Sequence, residues 1–264
     1  LQAGACEVVP EDDDWLSPAE RAVLAGLGIE KRRRDWRLGR WLAKRAVLGW
    51  LESRGRRAPL TGVEILAAPD GAPEVSLPEV VGLVGSRELP APRLSLSHAA
   101  GPLAGLADGL RSDGGRTGAG GGAMGFAALV EGTASLGCDV ERVESRSRRF
   151  LADYLVTGER DFVEGAITEE GRALATNLVW SAKESALKAM RCGLREDTRS
   201  VVVEVPGPEV SAHLPRTATV WRRLRLRIRS GDALHGWWRA SGGFVWTVVC
   251  QAPLSSPAPW APPV

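Results

Sequence analysis

Three carboxylates and a lysine, gathered from two segments, carry the chemistry this sequence offers. In SLGCDVERV (135–143), Asp139 and Glu141 alternate with Cys138 and Val140. A strand repeats every two residues, so both carboxylates share one face and the apolar neighbours take the other. About forty residues further on, WSAKESALKAM (180–190) has no Gly, Pro or β-branched residue and is rich in Ala and Leu, which predicts a helix. At roughly 100° per residue, Trp180, Glu184 and Lys188 fall within about 80° of one another, with Ala186, Leu187 and Met190 on the adjoining arc facing a core. A Glu–Lys pair one helical turn apart is ordinary as a solvated contact. Two carboxylates from a strand and a third from a helix make a small oxygen cage that suits Mg²⁺ or Mn²⁺.

A second cluster is cationic. Residues 30–57 hold eleven Lys and Arg against the three acids Glu30, Asp35 and Glu52, although the whole chain of 264 residues is only +2. A local basic field in a near-neutral protein points to one anionic ligand rather than to general coating of nucleic acid. On a helix over 30–53, Leu38, Trp41, Leu42, Val47, Leu48 and Leu51 form the apolar stripe, and Arg37, Arg40, Lys44 and Arg45 recur beside it. A solvated basic face is the ordinary alternative for such a helix.

The elements that must position these groups follow from local signals. Ser17, Pro18 and Glu20 stand as N-cap, first and third residues of a helix that ends by Gly28. Short strands are predicted at 63–67 and in PRLSLSHAAG, where Leu94 and Leu96 alternate with Ser95 and Ser97 up to His98. Residues 74–92 read as loop. The Gly-rich stretch 110–125 lacks the G-K-[ST] ending of a phosphate loop and reads as a flexible loop. FAALVEG is expected to form a hairpin with the Asp139 strand, and 146–165 is helical in pattern. WRRLRLRIRSG is a period-2 strand with Leu224, Leu226 and Ile228 inward and Arg223, Arg225, Arg227 and Arg229 outward. That ladder serves either as a charged edge strand or as a docking face for an acidic partner. HGWWRASGGFVWTVVCQ gives the closing strands, and the Pro-rich tail reads as disordered.

Composition bounds the class. The chain is 44% apolar and 25% charged, normal for a globular protein, and has no apolar run of the ~18 residues that span a bilayer. The acidic start lacks the regions of a secretory signal, and without an initiator Met a natural start upstream is expected. Cys6, Cys138, Cys192 and Cys250 form no CxxC pair, so a reduced, cytoplasmic protein without a zinc site is expected.

Taken together, GCDVERV, WSAKESALKA, LSLSHAAG, the Arg-bearing DWRLGRWLAKRAVL and the GLREDTRSVVVEV run resemble, in order, the segments of the 4'-phosphopantetheinyl transferase superfamily in its Sfp-like, single-chain branch. The resemblance implies an α+β, pseudo-dimeric fold: two similar halves, 1–133 and 134–264, each with a small antiparallel sheet packed on a long helix. It implies transfer of the phosphopantetheine arm of coenzyme A to a serine of an apo acyl or peptidyl carrier protein, with release of 3',5'-ADP. On the matching positions Asp139, Glu141 and Glu184 would bind Mg²⁺ (or Mn²⁺), and Lys188, with Lys183 behind it, would meet the pyrophosphate. Ser97 and His98 would meet the nucleotide's phosphates, and Arg37, Arg40, Lys44 and Arg45 the 3'-phosphate region. Glu159 sits where relatives with a glutamate base carry it. A monomer is expected, without nucleic acid or membrane as partner. The family's G-K-P turn is here Gly71-Ala72-Pro73, so that phosphate contact is absent or supplied elsewhere.

Other classes account for less. A metal-dependent nuclease usually carries its second acid and lysine at i,i+2 on a strand, whereas Glu184 and Lys188 stand four apart in an Ala-rich helix. A nucleic-acid-binding module leaves the acids at 139, 141 and 184 without a purpose, and an inactive carrier-binding protein leaves an intact acid triad unexplained.

Overall fold

The structure is a computed structural model that describes residues 1–6, 8–77, 90–100, 123–204 and 218–259. Its elements run β1 (Gln2–Cys6), α1 (Pro18–Ala25), α2 (Glu30–Glu52), β2 (Glu64–Ala67), β3 (Pro73–Ser76), β4 (Arg93–Ala100), β5 (Ala123–Val130), β6 (Leu136–Arg142), α3 (Arg148–Tyr154), α4 (Thr157–Glu164), α5 (Glu169–Ala189), β7 (Val201–Val203), β8 (Ala218–Ile228), β9 (Ala233–Ser241) and β10 (Phe244–Cys250). Helices mix with antiparallel sheets ordered β1-β5-β4, β6-β10-β9-β8-β7 and the hairpin β2-β3.

Each long helix lies on one sheet. Leu38, Leu42, Val47 and Leu51 of α2 pack with Ala127 and Leu129 of β5, while Leu178, Ala182 and Ala186 of α5 pack with Leu226, Trp238, Val245 and Val249. Residues one step along the same strands point the other way. Phe126 and Ala128 meet Cys138, Val140, Trp246 and Val248 in a core between the sheets. Period 2 thus sorts side chains between a helix-facing and a sheet-facing core. Glycine sets the closeness of both helices. A Cβ on Gly125 would lie 2.9 Å from Leu38 and nearer still to Leu42; one on Gly137 would lie 2.6 Å from the Ala189 nitrogen and nearer still to the Ser185 carbonyl oxygen.

Four local expectations change. β5 and β6 are not a hairpin: β5 pairs with β1 and β4, while β6 pairs with β10, more than a hundred residues on. The segment after Gly71 forms β3 rather than loop, because it can close a hairpin on β2. The tail is tied down as far as it is described: Ala258 exchanges backbone hydrogen bonds with Leu1 and Ala3. β8, with its arginine ladder, is covered at one end only: β7 pairs outside it at Leu226–Ile228. The Gly-rich stretch up to 122 lies outside the described residues, and Ala123–Gly125 already belong to β5.

Two buried ion pairs recur with the same parts. Glu20, third residue of α1, reaches back to the Ser17 N–H (2.9 Å) and accepts from Ile65 N–H (3.0 Å) and Lys44 Nζ (2.6 Å). Lys44 also donates to the carbonyls of Leu60 and Val63. Glu159, third residue of α4, reaches back to Val156 N–H (2.9 Å) and accepts from Val203 N–H (2.8 Å) and Lys183 Nζ (3.0 Å). Lys183 donates to the carbonyls of Thr198 and Val201. Glutamate and lysine are 24 residues apart in each case (20 to 44, 159 to 183), and a 3-10 turn precedes the strand that follows.

Candidate active site

Asp139 and Glu141 leave β6 on the face opposite the Cys138 and Val140 side chains, as strand alternation requires. Helix α5 is held across that strand by Thr247 of β10, directly paired with Asp139. Its buried hydroxyl bonds to Ser181 Oγ (2.8 Å) and Ser185 Oγ (2.7 Å), one turn apart on α5. With Gly137 admitting the helix, Lys188 reaches the Asp139 carboxylate, and Glu184 comes near enough to feel its charge.

Lys188 Nζ donates to Asp139 Oδ1 (2.8 Å) and to the Cys138 carbonyl (3.1 Å). Ser97 Oγ, arriving from β4, donates to the same Oδ1 at 2.7 Å, and Ser95 Oγ accepts from the Cys138 N–H (2.9 Å). These serine contacts join the edge strands of the two larger sheets. Glu141 accepts from Trp180 Nε1 at Oε1 and from Arg146 Nη2 at Oε2, both at 3.0 Å. Trp180 is fixed edge-on by Phe150 and Tyr154. The carboxylate of Glu184 is half-buried and takes no hydrogen bond from the described residues.

The electrostatics lack positive charge. Burial, and then the charge of Asp139, push the Glu141 carboxyl up to about 7 against the pull of Arg146 and Trp180, with Glu184 adding to the rise. Burial and Asp139 also raise Glu184, against Lys188. Burial lowers Lys188, but Asp139 and its neighbours outweigh this and its pKa is raised. Asp139 Oδ2 is buried with no hydrogen-bond partner among the described residues. A buried carboxylate oxygen without a donor, beside two carboxyls that resist ionising, fits a hard oxygen-bound cation. Among the described residues no three His, Cys, Asp or Glu side chains stand ready-grouped for a metal; Lys188, Ser97, Trp180 and Arg146 hold the oxygens that a cation would share.

The remaining expected residues divide. Glu159 and Lys183 lie in the buried pair described above, as does Lys44, so none of the three is open to a ligand: each is closed in by its partner and by backbone groups. Burial lowers the pKa of Lys44 and Lys183, with the paired glutamate opposing it. Arg37 is turned to the N-terminal loop, donating to Asp13 Oδ1 (2.8 Å) and to the carbonyls of Pro10, Glu11 and Asp12. Arg40 stacks over Trp36 (4.7 Å), and its buried Nε has no acceptor among the described residues; burial lowers its pKa against Glu20. Arg45 lies over Trp41 at 5.8 Å. His98 is 45% exposed, with Nε2 3.4 Å from Asp35 Oδ2.

Two features escaped the sequence reading. A cavity of about 370 Å³ opens beside Lys188 and is also lined by the Gly71–Pro73 turn, Arg93, Ser95 and Arg191. Arg191, in the left-handed region at φ 58, reaches from the end of α5 to Asp70 (2.6 and 2.8 Å) and Glu74 (3.4 Å) at that turn. Arg93 and Arg191 thus stand beside the Gly71–Pro73 turn. No spacing pattern announces the clasp, because Arg191 meets Asp70 across 121 residues. A second cleft, of about 800 Å³, is lined by Arg146, Arg148, Arg160 and Arg172.

Residues 135–237 match the family model of the 4'-phosphopantetheinyl transferase superfamily. The match supports a transferase of phosphopantetheine, in a family that generally uses coenzyme A and a divalent metal and acts on carrier proteins. It covers Asp139, Glu141, Glu184 and Lys188; α2, Ser97 and His98 lie outside it. No curated protein matches the chain.

Proposed function

We propose that this protein transfers the 4'-phosphopantetheine arm of coenzyme A to a serine of an apo acyl or peptidyl carrier protein, with Mg²⁺, releasing 3',5'-ADP. The observation that carries this reading is the unpartnered Asp139 Oδ2 beside Glu184, with Lys188 alongside and an arginine-lined cavity next to it. Asp139, Glu184 and Glu141 would hold the cation, with Mn²⁺ as a substitute; it supplies neutralisation of the diphosphate when bound. Lys188 is oriented by Asp139 to meet a phosphate oxygen from the cavity side. Arg93 and Arg191 line the wall where the nucleotide phosphates would lie, with Ser97 and His98 further along the strand that carries Arg93. Arg40, with its free Nε, is the best of the four α2 cations for the 3'-phosphate region. Glu159 is not the base in this reading, because it is locked under Lys183.

The same reading takes 1–133 and 134–264 as two related halves of a pseudo-dimer of the Sfp-like branch; the recurring Glu–Lys pairs support it. It takes the protein as a cytoplasmic monomer. Cys138, Cys192 and Cys250 are free thiols, and among the described residues no helix is long and apolar enough to cross a membrane. The deciding experiment is the intact mass of purified apo carrier proteins after incubation with the enzyme, coenzyme A and Mg²⁺. A gain of one phosphopantetheine, not formed when chelator is present from the start, is expected; no gain on either acyl or peptidyl carriers overturns the reading.

A further inference from the structure

Arg146 touches both the carboxylate centre and the larger cleft. It sits in the loop between β6 and α3, a quarter exposed. Its Nη2 donates to Glu141 Oε2 (3.0 Å), Nη1 pairs with Glu144 Oε1 (3.1 Å), and Nε donates to Asn177 Oδ1 (3.0 Å). Asn177 is fully buried and fixed by its own bonds to the carbonyls of Glu144 and Ala173, so it is a rigid anchor. The same guanidinium lines the cleft of about 800 Å³ with Arg148, Arg160 and Arg172, against Glu164 and Glu169. Four cations against two acids, spread over a loop and three helices, complement an acidic protein segment better than a single compact anion.

Resting on the transferase reading above, we propose that Arg146 is a positioning residue that couples partner docking to the carboxylate centre. In the free protein it holds Glu141 Oε2. An acidic segment of the carrier partner, seated in the cleft, competes for the guanidinium and releases that oxygen to the divalent cation. Each N–H turned to the partner is one withdrawn from Glu141 or Glu144, and the centre also loses a neighbouring positive charge that opposes cation binding.

The test reads Mn²⁺ binding directly by electron paramagnetic resonance, with no turnover needed. Arg146→Ala is expected to bind Mn²⁺ about tenfold tighter than wild type, the scale on which groups behind metal ligands change affinity. Arg146→Lys, which keeps a cation, should return toward wild type. A hexaglutamate peptide, with its own Mn²⁺ binding subtracted, should tighten Mn²⁺ binding to wild type but not to Arg146→Ala, and Arg148→Ser should blunt the peptide effect. Equal Mn²⁺ affinity in wild type and Arg146→Ala overturns the coupling while leaving the metal site standing. Should the alanine variant not fold, a wild type indifferent to the peptide overturns the coupling equally. A wild type that binds no Mn²⁺ overturns the metal reading and the coupling with it.

Discussion

Glu184 and Glu159 are both acids on helices, yet their removal should have opposite consequences. Glu184 is held in a state that burial and Asp139 penalise, so its raised pKa means that its charge costs stability above the ordinary carboxylate range. Glu184→Gln should therefore leave the melting temperature unchanged or higher while carrier labelling at limiting Mg²⁺ falls about a hundredfold; near-normal labelling would remove Glu184 from the site. Glu159→Gln strands the buried Lys183 and should cost about 3–5 kcal/mol in urea unfolding. Below the unfolding transition its turnover per folded molecule should persist, and a collapse of turnover there would reinstate it as a base. The placement of Asp139 and Glu141 on one strand, and of Glu184 and Lys188 on one helix, was legible because period 2 and period 3.6 act within a few residues. It misled at Glu159, Lys183 and Lys44, since position along a helix does not say which side faces the interior. The 24-residue spacing from an N3 glutamate to a lysine, present twice, was the available signal.

The long helices were readable because their starts and stripes are local: Ser17 and Glu20 form the capping box their spacing predicts, and the α2 stripe is buried at Leu38, Leu42, Val47, Leu48 and Leu51. β1 was not readable; QAGAC has no alternation, and its pairing to β5 is set by residues 123 and beyond. The glycine of GCDVERV has its physical account in α5, which passes too close for a side chain. Because the obstructing atoms are backbone, they cannot swing aside, and Gly137→Ala should destabilise by about 1–3 kcal/mol or more. The surviving folded fraction should bind Mn²⁺ more weakly, as the helix retreats from β6; an unchanged melt and unchanged Mn²⁺ affinity would contradict this packing account.

Across the molecule, a net charge of +2 conceals concentrated cationic surfaces. The β8 ladder is outward as its period predicts, with Arg223 over Trp237 (5.3 Å) and Arg227 beside Glu204 (3.1 Å). Arg223→Glu together with Arg225→Glu should raise the KM for a carrier protein about tenfold at low salt and leave coenzyme A affinity alone; an unchanged carrier KM would confine the ladder to a solvated sheet face.

The clasp between Arg191 and Asp70 ties two stretches of chain that no nearby sequence connects. The guanidinium, with help from the Ala72 N–H, holds the Asp70 carboxyl down at about 2. The clasp's stabilisation is therefore complete above the ordinary carboxylate range and is lost only as pH falls through about 2. Mild acid leaves this fastening shut; dissolved ions, which screen exposed charges, loosen it. The same ions weaken the pull on a polyanionic guest, so coenzyme A association with the wild type should climb and then decline as potassium chloride is added. With Arg191→Ala only the decline should remain; a climb that persists in this variant would separate the clasp from coenzyme A association.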